Sequence, residues 1–381
     1  MMISTETERQ TTPCRLTLLK LVVPLLAVGL GASSAACSLR GSALERSTET
    51  SERSMPQEGK PISSLTPTRF EYVQLLDQSS WVIADFNHVW RTTDGGHTWQ
   101  KSDGVKTEAG EGKHIWGLSF IDAQTGFLIV DEQLLRTNDT GLTWSKVAKV
   151  GFGAESCYFI DAQHGWAVGR AWREDFTADS TAPQYEGAIF NTKDGGITWH
   201  QQRADLPVGY FEPGVRWTLD DVFFFDRMTG WAVGSAVIFR TVDGGDNWHV
   251  ADAWKGQYRH VRFLNREFGW ATQRQASEFS ITTDGGKHWK LLDGPPGFGS
   301  WASHVMFITP TQGFASLIEL YETEDGGRTW KWRAGSKEKP REGYDFLGRA
   351  KDGTLVAIGL DQDKVRALIS NNNGGTWHSP L

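Results

Sequence analysis

TTDGGHTW (92–99), TNDTGLTW (137–144), TKDGGITW (192–199), TVDGGDNW (241–248), TTDGGKHW (282–289), TEDGGRTW (323–330) and SNNNGGTW (370–377) are seven copies of one short unit. Each opens on a hydroxyl residue, holds an acid or amide two positions later, and closes on tryptophan. The acidic position falls at Asp94, Asp139, Asp194, Asp243, Asp284 and Asp325, with Asn372 in the seventh copy. An Asp or Asn side chain accepts hydrogen bonds from backbone amides a few residues on, and glycine supplies the positive φ of a tight hairpin. The tryptophan then starts the returning strand and covers the hairpin's apolar flank. Successive copies lie 41 to 55 residues apart, the length of one four-stranded blade.

A second signature precedes five of the copies: an aromatic residue and, six positions later, a glycine followed by Trp or Phe. The pairs are Phe120 and Gly126, Phe159 and Gly165, Phe224 and Gly230, Phe263 and Gly269, and Phe307 and Gly313. Each unit therefore reads strand A, short turn, strand B, strand C, acidic turn, strand D. An open stack of such sheets leaves its end faces bare, whereas seven twisted sheets close into a ring and bury both. The expectation is an all-β, seven-bladed β-propeller with four-stranded antiparallel blades over residues 63–381. Around such a ring the seven acidic residues point to separate places. They are expected to be structural, and no catalytic residue is assigned.

Composition supports short strands and tight turns, with 18 Trp, 20 Phe and 42 Gly in 381 residues. A net charge of -7 and a pI near 5.8 provide no basic field for nucleic acid. Cys14, Cys37 and Cys157 are too few for a disulfide framework. Cys157, in the apolar stretch SCYFI, reads as an inert core thiol.

Arg9, Arg15 and Lys20 precede an apolar run from Leu21 to Ala36 that ends in small residues. Residues 1–36 thus read as a secretory signal. Ser34-Ala35-Ala36-Cys37 resembles a bacterial lipobox, which would attach a lipid at Cys37; simple cleavage after Ala36 is the alternative. Residues 37–62 are rich in Ser, Glu, Arg and Thr and read as a flexible tether. An exported, membrane-anchored envelope protein, facing the periplasm or cell exterior and monomeric, is expected.

In each blade the A–B and C–D turns lie on one face and the B–C and D–A connections on the other. The second kind is long in two adjacent places, 170–187 and 201–220. These segments carry Arg170, Trp172, Arg173, Tyr185, Tyr210, Arg216 and Trp217, residue types that dominate protein interfaces. A partner-binding lip is expected there. Asp221, His260 and His304 each stand three residues before a strand A aromatic, so they recur at one height near the axis. Two His and one Asp form a possible divalent-metal set, although hydrated polar residues are commoner at a channel mouth, and neither metal nor cofactor is assigned.

The repeated turn resembles the Asp-box, or bacterial neuraminidase repeat. Seven copies at this spacing, with GWAVG at 165–169 and 230–234 and a lipoprotein-like start, are similar to the photosystem II stability and assembly factor family over about residues 67–381. The resemblance implies a non-enzymatic envelope propeller that binds a protein partner, a membrane-complex subunit or assembly intermediate. Sialidases and xyloglucanases also use Asp-box propellers, so a carbohydrate-binding or glycoside-hydrolysing protein is the alternative. The Arg-Ile-Pro segment of sialidases is missing, since the chain before the first box reads NHVWR.

Overall fold

The computed structural model describes residues 70–380 apart from 106–113, 173–184, 203, 205–216, 252–255, 275, 300–303, 317–318, 335–342 and 362–363. The expected signal over 1–36, Cys37, the expected tether over 37–62 and residues 61–66 lie outside the described residues. Seven antiparallel sheets follow one another along the chain, six with four strands hydrogen-bonded in sequence order. The seventh has three, and the mutual backbone hydrogen bonds of Ile369 and His378 stand in place of its outer strand. The architecture is a seven-bladed β-propeller. The innermost strands A are Tyr72–Leu75, Ile115–Phe120, Gly153–Phe159, Leu219–Phe224, Tyr258–Phe263, His304–Phe307 and Phe346–Arg349.

Strand B of each blade lies between the neighbouring sheets, with both faces covered. Gly126–Val130 and Gly230–Gly234 are accordingly buried at every position, which is why their sequences are continuously apolar instead of alternating. Strand D is the outer edge, short and exposed, as in Ser145–Lys149 and Lys290–Asp293.

The acidic turns share one geometry. In the fourth blade the Thr241 hydroxyl donates to Asp243 Oδ1 at 2.8 Å and accepts from the Gly245 amide at 2.9 Å. Asp243 then accepts from the Asn247 amide and side chain at 2.9 and 2.8 Å. These bonds hold two successive residues at positive φ, 77° at Gly244 and 93° at Gly245. That backbone demand explains the glycine pair.

The two sequence signatures meet in space. The strand A ring Phe224 crosses the Cα of Gly230, where an added Cβ would lie 2.6 Å from it. It stacks on Trp166 of the preceding blade at 3.5 Å between centroids and meets the edge of its own turn tryptophan, Trp248, at 5.7 Å. Phe263 repeats the joint with Trp231 at 3.4 Å and Trp289 at 5.8 Å, and Phe159 with Phe127 and Trp199. Indole N–H groups tie it to the next turn, Trp166 donating to Gly244 O at 3.2 Å and Trp231 to Gly285 O at 3.1 Å. Burying one such aromatic removes on the order of 150–250 Å² from water, or roughly 4–6 kcal/mol before the entropy of ordering is charged.

The ring closes by the same lateral packing. Val73, Trp81 and Ile83 of the first blade share a core with Val356, Ile358 and Val365 of the last. The Gln78 amide donates to Asp352 Oδ2 at 2.9 Å. Each described sheet is built from one continuous stretch of chain.

Candidate functional site

Strand A carries a β-bulge in four successive blades. The register skips Trp116, Glu155, Asp220 and Arg259, each four residues before the strand A aromatic. A bulge re-aims its extra residue out of the ladder, and here all four line the central cavity. The cavity measures about 680 Å³, within the range of small-ligand sites. Its bulged rim lies where strands A begin and strands B end, on the face of the long B–C and D–A connections.

Charge at this mouth is paired. Glu155 meets Arg170 at 2.8 Å, Asp220 meets Arg274 at 3.1 Å, and Glu71 meets Arg259 at 3.6 Å. The first joins strands A and B of the third blade, the second joins adjacent blades, and the third crosses the channel from the first blade to the fifth. Burial pushes Glu155 and Asp220 above the ordinary carboxylate range, opposed by Arg170 and Arg274 respectively.

Below the bulges, Asp221 is the buried hub. It accepts from Arg262 Nη1, from the Val261 amide at 3.1 Å and from the Ser156 hydroxyl at 3.1 Å, with His260 Nδ1 3.6 Å away. Burial alone would raise its pKa, but Arg262 and His260 hold it below the usual range. Burial lowers His260 and carries His304 well below the ordinary histidine value, with the nearby Arg259 and Arg262 acting in the same direction. The two imidazoles lie nearly parallel, 5.8 Å apart, and Phe346 meets His304 edge-on at 4.9 Å. Asp221, His260 and His304 are thus gathered at one height as their spacing indicates. The Asp221 carboxylate is engaged by arginine and amide donors, and among the described residues no group of three His, Cys, Asp or Glu is placed for a metal ion.

The expected lip divides. Strands B and C of the third blade run eight residues each, Gly165–Trp172 and Tyr185–Thr192. Arg170 pairs across the ladder with Gly187 and Trp172 with Tyr185. The ends of the expected 170–187 loop are therefore a β-ribbon rising above the ring. Trp172 at its tip is 67% exposed. Arg170 turns to Glu155 in the channel wall. Trp217, expected on the lip, is instead a core residue at 7% exposure. It packs 6.1 Å from Phe239 and over Gly187, where a Cβ would come within 2.3 Å of the indole. Arg173, Tyr210 and Arg216 lie outside the described residues. Cys157 is buried, and burial pushes its thiol up to about 12.

Sequence reasoning missed the bulged ring. Its signal was a charged residue or tryptophan four positions before the strand A aromatic, at 116, 155, 220 and 259, the last two directly preceding Asp221 and His260. At the opposite end of strand A, an Asp or Asn stands two residues after the aromatic. Asp122, Asp161, Asp226 and Asn265 there each accept two backbone amides and cap the A–B turn.

Neither a protein-family model nor a curated protein matches the chain. Solved structures similar to it include YCF48 bound to a D1 peptide, 16% identical over 83% of this chain and 96% of that one, with a TM-score of 0.52. An ancestral GH74 enzyme is 14% identical over 84% of this chain with a TM-score of 0.59, and this chain spans about half its length, 47%. A streptogramin B lyase is 11% identical over 82% of this chain and 96% of that one, with a TM-score of 0.56. At these identities the similarity establishes the fold alone.

Proposed function

We propose that this chain is a non-catalytic propeller of the cell envelope that binds a protein partner, in the manner of an assembly or stability factor for a membrane complex. The carrying observation is the extended ribbon of the third blade, whose Trp172 is 67% exposed. A large exposed indole on a rigid strand pair is the residue type and setting of an interface anchor. The fold similarity to YCF48 bound to a D1 peptide supports a propeller surface that engages polypeptide. Export by residues 1–36, a lipid at Cys37 and a tether over 37–62 would hold this face beside a membrane, with the propeller acting as a monomer.

Affinity capture of envelope proteins with the exported chain tests the reading. Trp172→Ala is expected to lose the captured partner at least tenfold. Ile197→Ser, at a residue 63% exposed in a C–D turn on the opposite face, is expected to keep it. An identical partner set for both variants counts against the proposal.

A glycan-directed reading draws on Trp116, Glu155 and Asp220 sharing one cavity and on the fold of the GH74 enzyme. Both carboxylates are tied to arginines, which disfavours an acid–base pair. Turnover of a chromogenic glycoside panel, lost in Glu155→Gln, would establish this second reading in place of the first.

A further inference from the structure

The cavity has two chemically different walls. Blades pack in chain order around the ring, so the fifth blade faces the first and second across the axis. On the near side Phe86 and Trp116 line the cavity, linked through His114, whose ring lies 5.2 and 5.5 Å from theirs. On the far side stand Arg259, His260 and Arg262, with His304 of the sixth blade. Arg262 is committed to Asp221 and to its own Val261 carbonyl at 2.6 Å. Arg274 is committed to Asp220.

Arg259 differs from both in its geometry. It is the bulged residue of its strand, and its carboxylate, Glu71, reaches it from the opposite wall. Their 3.6 Å separation is longer than either of the other two arginine pairs. A guanidinium meets a carboxylate best through short, paired N–H···O bonds, and a side chain strung across a cavity of about 680 Å³ cannot fill the space around it.

We propose that this cavity binds an apolar or aromatic carboxylate, its acid group on Arg259 and its hydrocarbon against Phe86 and Trp116, and that Glu71 is the internal competitor the ligand displaces. The acid arises either as a small organic acid or as the last residue of a polypeptide; both present a carboxylate and a hydrocarbon group one or two carbons apart. Displacement exchanges one carboxylate for another at Arg259, so the cavity gains a negative charge unless Glu71 takes up a proton or turns to solvent. This site goes beyond the partner-binding face and stands separately from it, since Trp172 belongs to the ribbon and not to the cavity wall.

Calorimetric titration of the full chain with phenylacetate and phenylacetamide, and with Ala-Ala-Phe as acid and as amide, tests the assignment. Phenylacetate is expected to bind and phenylacetamide to bind at least tenfold more weakly. Glu71→Gln is expected to tighten phenylacetate about tenfold, a difference of about 1.4 kcal/mol, by removing the competitor's charge. Arg259→Gln is expected to abolish the preference for acid over amide, and Arg259→Lys to retain part of it, which separates loss of charge from loss of fold. Stronger binding of the tripeptide acid than of phenylacetate assigns the ligand to chain ends, and the reverse assigns it to small acids. Equal binding of acid and amide by Glu71→Gln, or no binding of either by that variant with its melting transition intact, overturns the proposal. Capture of a protein partner through Trp172 is unaffected by either result.

Discussion

Thr140 takes φ 62° at the position where five of the seven acidic turns have glycine, with Asn373 at 55° in the last. The left-handed region costs a β-branched residue more than glycine or asparagine, because its Cβ crowds the following carbonyl. The turn holds nonetheless, because Thr137 and Asp139 make the same bonds as in the other copies: the Thr137 hydroxyl donates to Asp139 at 2.7 Å and accepts from the Gly141 amide at 3.0 Å. Thr140→Gly is therefore expected to stabilise the protein by about 1 kcal/mol despite the added entropy of the unfolded chain, read as a raised urea midpoint. Asn372 shows why the acid is not essential to the turn. Its Oδ1 accepts from the Ser370 hydroxyl and the Thr376 amide, each at 2.9 Å, and its Nδ2 donates to the Thr376 hydroxyl where an aspartate would accept.

At the scale of the element, the aromatic of strand A and the glycine of strand B are one device. Gly165, Gly230 and Gly269 each lie under a ring so closely that an added Cβ would come within 2.5 to 2.6 Å of it. Gly230→Ala is expected to cost about 1–3 kcal/mol by overpacking, because Phe224 is held on its other sides by Trp166 and Trp248. Phe224→Leu in the Gly230→Ala background should recover part of the loss, measured as a double-mutant cycle in urea. The bulges belong to this scale as well. Four consecutive strands A gain one unpaired residue four positions before their aromatic, and that residue carries the channel's aromatic wall at 116 and its guanidinium at 259.

For the whole molecule, acid should act in two stages. His260 and His304 have folded pKa values below the unfolded value of 6.5. As pH falls through 6.5 the unfolded chain takes up protons that the folded channel refuses, so stability declines from its full value above that pH. The groups facing them are Asp221, Arg259 and Arg262. The turn carboxylates Asp194, Asp243, Asp284 and Asp325 are held at about 2 against 3.8. Their contribution is present above 3.8 and lost as pH falls through that value towards 2. Glu155 and Asp220, raised by burial, act with the opposite sign in the carboxylate range. Urea midpoints are expected to fall between pH 7.5 and 5.5 and again below pH 4. His304→Phe should flatten the first decline and leave the second.

The sequence by itself determined the number of blades, their order and the role of the acidic turns, because each depends on contacts within a few residues of one another. It also placed Asp221, His260 and His304 at one height, since a shared offset from a repeated aromatic survives any closure of the ring. Only the tertiary structure decided that Trp217 is core and Trp172 exposed: both are tryptophans in long connections, and what separates them is whether Gly187 and Phe239 lie beneath. Only ring closure brought Glu71 to Arg259, 188 positions along the chain. Contacts across an axis leave no period in a sequence, because they join residues related by the geometry of the circle and not by the repeat.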